Sequence, residues 1–140
     1  MPTQRTSTPT EIPQRRSTNQ RTVVLEVVKR SHSHPSAEEV YRVAKRKLPS
    51  LSLGTVYRNL GLLVEDGRIR EVQFIGGAAR YDGMTEQHEH FVCTKCGAVH
   101  DLPRSLETKL IKKRGGPLRN ALVTDYRLDL YGLCATCNAA

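Results

Sequence analysis

Four cysteines in two identical spacings, Cys93-Thr94-Lys95-Cys96 and Cys134-Ala135-Thr136-Cys137, constrain this chain more than any other feature. Two thiolates separated by two residues close on one ion easily, and two such pairs complete a tetrahedral zinc site. Such a site contributes folding energy outright, which a small domain needs. Every cysteine in the chain is used in this reading. The rivals are two disulfides or a dithiol redox centre. Disulfides fit a cytoplasmic chain poorly, and a redox pair is expected alone rather than duplicated. Zinc would tie the segment after residue 92 to the last strand, so residues 83–140 are expected to form one unit.

The 140 residues suffice for one domain or for two small ones that each need help. The net charge of +8 is uneven, with 14 Lys and Arg against 8 Asp and Glu up to residue 82, and 8 against 6 beyond it. That balance suits a polyanionic partner, although a merely soluble basic surface would carry it too. No segment has the length of apolar residues that a membrane span requires. The N-terminus is polar and rich in Pro and Thr where a signal peptide would be apolar. A soluble, cytoplasmic protein with no membrane partner is expected.

Residues 1–16 hold too few apolar groups to fold alone and read as a flexible basic tail. A first helix is expected from the N-cap Thr18 to about Arg30, with Val24, Val27 and Val28 on one face. Ser36 and Glu39 can form a reciprocal capping box for a second, whose stripe is Ala37, Val40, Ala44 and Leu48 and whose stop is Pro49. Ser52 can cap a third that buries Leu53, Val56, Leu60 and Leu63 and ends at Gly67. Strands over Arg68–Phe74 and Ala78–Tyr81, joined by a Gly76-Gly77 turn, would add a wing. The fold class expected is α+β: a winged helix-turn-helix domain over residues 17–82, then an α/β dimerisation domain over 83–140 with the four-cysteine zinc site.

A recognition helix places slender hydrogen-bonding and apolar tips in the major groove while flanking cations grip phosphate. Ser52, Thr55, Tyr57, Arg58 and Asn59 suit that task on the third helix. Arg15, Arg16 and Arg21 could serve the DNA backbone or a minor groove. An ordinary solvated helix face is the plainer alternative.

In the second half, Leu106 and Leu110 suggest a helix ending in Lys112-Lys113-Arg114 before Gly115-Gly116-Pro117. Leu122, Thr124, Tyr126, Leu128 and Leu130 then alternate with Val123, Asp125, Arg127 and Asp129, the pattern of a half-buried strand. Pairing a free sheet edge with a second copy would cover it and deliver two recognition helices to a two-fold operator. Around the cysteines lie further ligand types: His34, Asp82, His88, His90 and Asp101. On a strand, His88 and His90 point to one face. Imidazole and carboxylate without sulfur suit Fe2+ or Mn2+ better than a closed zinc site. Surface groups unrelated to metal are the alternative.

The residues resemble the ferric uptake regulator (Fur) family, and within it the peroxide-sensing PerR branch. The resemblance rests on Thr18-x-Gln20-Arg21, His34-Pro35-Ser36-Ala37-Glu38-Glu39-Val40-Tyr41, Ser52-Leu53-x-Thr55-Val56-Tyr57-Arg58-Asn59-Leu60 and Arg80-Tyr81-Asp82. It continues through His88-x-His90-x-x-Cys93-x-x-Cys96-Gly97 and Tyr131-Gly132-x-Cys134-x-x-Cys137, covering residues 16–137 in order. It implies a homodimeric repressor that binds double-stranded DNA at an AT-rich inverted repeat when its regulatory metal is loaded, and that is not an enzyme. By position it assigns Cys93, Cys96, Cys134 and Cys137 to structural Zn2+, and His34, Asp82, His88, His90 and Asp101 to regulatory Fe2+ or Mn2+. In the PerR branch peroxide reacts with bound iron and oxidises a ligating histidine, for which His34 and His88 are the equivalents here. An iron-, zinc- or nickel-responsive uptake regulator is the alternative within the family.

Several positions depart from the family pattern. Asp125-Tyr126 stands where a histidine often helps build an additional metal site, His100 replaces an apolar residue, and Asn19 replaces a frequent proline. His32 and His100 read as ordinary exposed or internally bonded histidines, and Glu89 and Glu107 as carboxylates that could serve some alternative site. A zinc-bearing thiol oxidoreductase would instead need an accessible low-pKa cysteine, and a plain zinc-ribbon interaction module would show no metal-dependent DNA affinity.

Overall fold

The computed structural model describes residues 18–102, 118–124 and 126–140. Three helices open it: α1 Asn19–Arg30, α2 Ala37–Lys47 and α3 Leu53–Glu65. A hydroxyl starts each one by satisfying an N–H that the helix cannot. Thr18 Oγ1 accepts from Arg21 N at 3.2 Å and Ser52 Oγ from Thr55 N at 3.2 Å. At α2 the expected box is complete, with Ser36 N donating to Glu39 Oε2 at 2.7 Å and Glu39 N donating to Ser36 Oγ at 3.3 Å. After α3, Gly67 takes φ +68°, and its N–H and that of Arg68 return to the Val64 and Leu63 carbonyls.

Val24, Val28, Val40, Val56 and Leu60 are fully buried where these helices cross, with Ile69 and Tyr81 closing the cluster from the hairpin side. Each such aliphatic side chain contributes about 1.5–3 kcal/mol by leaving water. The stripes expected for the helices are therefore the core, except that Leu53 and Leu48 are only half-buried. The wing is shorter than its sequence suggests: β1 Arg70–Val72 pairs antiparallel with β2 Arg80–Asp82. Tyr81 N also donates to the Pro35 carbonyl at 2.9 Å, which stitches β2 to the turn before α2.

The second sheet has the order β4-β3-β5. β3 Glu89–Cys93 runs antiparallel to β4 Val99–Leu102 and parallel to β5 Asp129–Gly132, and a short helix α4, Ala135–Ala139, follows. Gly97 at φ +75° makes the tight return from β3 to β4 possible. Phe74 and Val72 of the wing pack with Val92 and Val99, so a second apolar cluster crosses from the hairpin to this sheet.

The strand expected across Leu122–Leu130 is a correction. Among the described residues of this segment only Asp129–Gly132 forms strand, while residues 118–124 form turns and irregular chain with Leu122 86% exposed. Alternation alone does not make a strand; a ladder partner does, and β3 meets this segment only from His90 opposite Asp129 onward. The tail 1–16 with Arg15 and Arg16, the helix expected around Leu106 and Leu110, Glu107 and Asp125 lie outside the described residues. No helix among the described residues is long and apolar enough to cross a membrane.

Candidate metal centres

The sulfur cluster is built by two tight turns. Cys93 ends β3 and Cys96 sits in the return to β4, while Cys134 caps α4 and Cys137 lies inside it. All four ligand atoms lie within 4.8 Å of one another, and Cys96 Sγ stands 3.9 Å from Cys134 Sγ. Four thiolates held about 2.3 Å from one tetrahedral ion stand about 3.8 Å apart, so the cluster fits zinc. None of the four cysteines is in a disulfide. The Cys134 N–H donates to Cys93 Sγ at 3.4 Å. That bond, with the Cys96 and Lys95 N–H groups, lowers the Cys93 thiol to about 6. The neighbouring Cys134, Cys96 and Cys93 sulfurs and burial push Cys137 up to about 12. A zinc ion would displace those protons.

The nitrogen and oxygen cluster joins segments far apart in sequence. His34 lies in the turn before α2 at φ +54°, a left-handed backbone that costs a non-glycine residue about 1 kcal/mol. Strain of this kind persists where the surroundings hold it, and His34 is 3% exposed. Asp82 ends β2, His88 precedes β3, His90 lies in β3 and Asp101 in β4. The Tyr81 bond to Pro35 brings His34 beside Asp82, and the β3–β4 register puts His90 opposite Asp101. Gly83 lets this corner approach α1: a Cβ there would stand 2.8 Å from Lys29 Cα.

Distances within the cluster are short. His34 Nε2 is 3.2 Å from Asp82 Oδ2 and 2.9 Å from Asp101 Oδ1. His88 Nε2 is 2.8 and 3.1 Å from the same two oxygens, and His90 Nε2 is 3.5 and 3.6 Å from them. Ligands at about 2.1 Å from one ion and at right angles are about 3.0 Å apart, which these values bracket. The three Nε2 atoms and Asp82 Oδ2 are buried without a hydrogen-bond partner, although each lies close to an opposite group. Buried polar atoms are rarely left so, and convergence on one point suits a cation. Burial alone would lower His34 and raise Asp82. Their mutual attraction, with Asp101 also facing His34, His90 facing Asp82 and the Met84 N–H on Asp82, outweighs it: His34 is raised and Asp82 held well below the usual carboxylate range.

Groups behind the cluster aim it. Asp82 Oδ1 accepts from Met84 N at 2.8 Å, leaving Oδ2 for the centre. His88 Nδ1 lies 2.7 Å from the Glu86 carbonyl, so Nδ1 carries the proton and Nε2 the lone pair. His90 Nδ1 faces Asp129 Oδ1 at 3.4 Å. Asp129 was legible in sequence only as one side of an alternating strand; its place behind His90 depends on a register that sequence does not state. Glu89 points away from the cluster, is 1% exposed, and accepts from Tyr126 Oη at 3.2 Å. His32 and His100 are exposed.

The expected DNA face is gathered in part. Ser52, Thr55, Tyr57 and Arg58 lie at the start of α3, with Tyr57 and Arg58 exposed and Thr55 half-buried. Tyr57 Oη donates to Glu38 Oε1 at 2.8 Å, which anchors the ring to α2. Asn59 departs from the expectation: it is 6% exposed, and its Nδ2 donates to the Thr55 carbonyl at 2.9 Å. Position 59 follows Val56 by three residues and so falls on the buried stripe. Arg21 is half-buried on α1, away from the start of α3 in sequence.

Comparison with known proteins gives a consistent result. The ferric uptake regulator family model matches residues 13–131. The peroxide-responsive repressor PerR of Staphylococcus epidermidis is 32% identical over 124 residues, covering 87% of this chain and 81% of that protein. The peroxide operon regulator of Bacillus subtilis is 32% identical over 125 residues, with coverages of 88% and 84%. Among solved structures, the Campylobacter jejuni peroxide stress regulator superposes with a TM-score of 0.68 at 37% identity, over 84% of this chain and 88% of that one.

Proposed function

The chain belongs to the ferric uptake regulator family, whose members bind DNA, dimerise and bind metal ions, and we propose that it is a peroxide-responsive, metal-dependent repressor. It is a regulator rather than an enzyme. The observation that carries the proposal is the sulfur-free donor set of His34, Asp82, His88, His90 and Asp101, whose buried Nε2 atoms converge without hydrogen-bond partners.

Cys93, Cys96, Cys134 and Cys137 would hold the structural zinc, and the five-residue set the regulatory Fe2+ or Mn2+. We assign residues 17–82 to DNA binding and residues 83–140 to dimerisation and sensing. His34 and Asp82 come from the first unit; His88, His90 and Asp101 come from the second. An ion gripped by all five fixes the two units relative to each other, and it shifts the population only by its preference for that arrangement. The arrangement presents Ser52, Thr55, Tyr57 and Arg58 of two copies to the half-sites of an AT-rich inverted repeat in cytoplasmic DNA, with Arg15, Arg16 and Arg21 on phosphate or minor groove.

Ferrous iron held by His34, Asp82, His88, His90 and Asp101 would supply the one electron that splits the peroxide O–O bond, itself becoming ferric, one oxygen leaving as hydroxide and the other being added to a nearby imidazole ring. Oxidation of the His34 or His88 ring would remove a donor from the set and free the two units. Zinc or nickel would supply no such electron.

Gel-shift titrations with iron, manganese, zinc and nickel, each with and without peroxide, test this reading. Binding with iron or manganese, lost to peroxide only with iron and accompanied by a one-oxygen mass gain on His34 or His88 peptides, is expected. Stable binding with zinc alone, indifferent to peroxide, would redirect the assignment to a zinc-uptake regulator.

A further inference from the structure

Arg127 and Asp129 stand on the far side of His90 from the nitrogen and oxygen cluster. Asp129 opens β5 directly opposite His90, and its side chain is only 11% exposed. One oxygen, Oδ1, faces His90 Nδ1 at 3.4 Å, and the other accepts from Arg127 Nε at 2.6 Å. The same guanidinium donates from Nη2 to the Gln73 carbonyl at 2.6 Å and lies 5.3 Å from the Phe74 ring centroid. Phe74 in turn sets its edge against His90, the ring centroids being 5.3 Å apart. A single guanidinium thus holds the carboxylate behind a ligand, the ring beside that ligand, and the backbone of the wing.

A neutral imidazole has one proton and two places to put it. Only the tautomer with the proton on Nδ1 offers Nε2 to an ion, and a carboxylate behind Nδ1 both selects it and raises the ligand's basicity. His88 has the Glu86 carbonyl for this purpose, at 2.7 Å. For His90 the facing group is Asp129, whose buried Oδ1 has no hydrogen-bond partner and stands 3.4 Å from His90 Nδ1.

We propose that Arg127 and Asp129 are positioning residues for the regulatory ion: Asp129 orients His90 through its Nδ1 proton, and Arg127 fixes Asp129 while joining β5 to the wing. The inference rests on the regulatory-site reading above. A surface ion pair with no such task would contribute about 0–1 kcal/mol to stability and nothing to ion affinity.

Manganese titration of the zinc-replete protein distinguishes the two. Asp129→Ala is expected to weaken Mn2+ binding about 10–100-fold, and Arg127→Ala to weaken it several-fold. The double variant should lose less than the two single losses combined, because Arg127 acts in part through Asp129. The zinc content should stay at the wild-type value throughout. Asp129→Asn keeps the volume and gives the same comparison should the alanine variant misfold. Manganese affinity within twofold of wild type in either soluble Asp129 variant or in Arg127→Ala would overturn the inference, as would additive losses in the double variant. A wild-type protein that takes up no manganese would instead remove the regulatory-site reading, and this inference with it.

Discussion

Replacing Gly83 by alanine places one methyl group where the corner beside Asp82 meets α1. The added Cβ would stand 2.8 Å from Lys29 Cα, 3.3 Å from Lys29 N and 3.2 Å from its Cγ. The side-chain carbon can rotate away, but the two backbone atoms cannot. Carbon pairs are comfortable at about 3.5 Å or more, so the corner and the helix must separate by more than about half an ångström. Overpacking of this kind costs about 1–3 kcal/mol. For a domain of this size each kcal/mol lowers the melting temperature by about 4–8 °C. The displacement also matters for the ion, because ligand constellations tolerate only about 0.5 Å of error. Gly83→Ala should therefore melt several degrees lower by circular dichroism and bind manganese more weakly, with its zinc content intact. A variant that melts within one degree or so of wild type and keeps its manganese affinity would refute the close-approach argument.

Two further outcomes follow from the geometry. Removing zinc with a strong chelator, or substituting Cys134→Ser, should abolish the ordered β3–β4 return and manganese binding together, since structural zinc contributes about 10–16 kcal/mol in small peptides; near-ultraviolet spectra and metal analysis would show both. Tyr57→Phe should raise the Glu38 pKa, because the Tyr57 hydroxyl bond is the main cause that holds it low. A depressed carboxyl stabilises the fold above its unfolded pKa and loses that contribution as pH falls through the folded one, so this small α2–α3 tie weakens only in acid; carboxyl-carbon NMR titration of the two proteins measures it.

Local grammar was legible in the sequence and register was not. Thr18, Ser36 and Ser52 announce their helices because an N-cap is settled within four residues, and all three caps are present. The cysteines and the five nitrogen and oxygen donors were named from spacing and family resemblance, and the structure gathers each set. The Leu122–Leu130 alternation is not enough for a strand, because among the described residues none pairs with its first half. Asn59 differs from its expected place because an amide need not face solvent: on the buried side of α3 its Nδ2 donates to the Thr55 carbonyl. The role of Arg127 and Asp129 is not legible in the sequence, because the parallel pairing of β3 with β5 is what sets Asp129 behind His90.

β3 carries His90 and Cys93 three residues apart, so their side chains leave the strand on opposite sides. About 10 Å of rigid backbone separates the two attachment points. That arrangement insulates one coordination chemistry from the other. Thiolates that would outbid imidazole for a soft cation stand across the strand from the nitrogen and oxygen donors and cannot swing over to scramble the set.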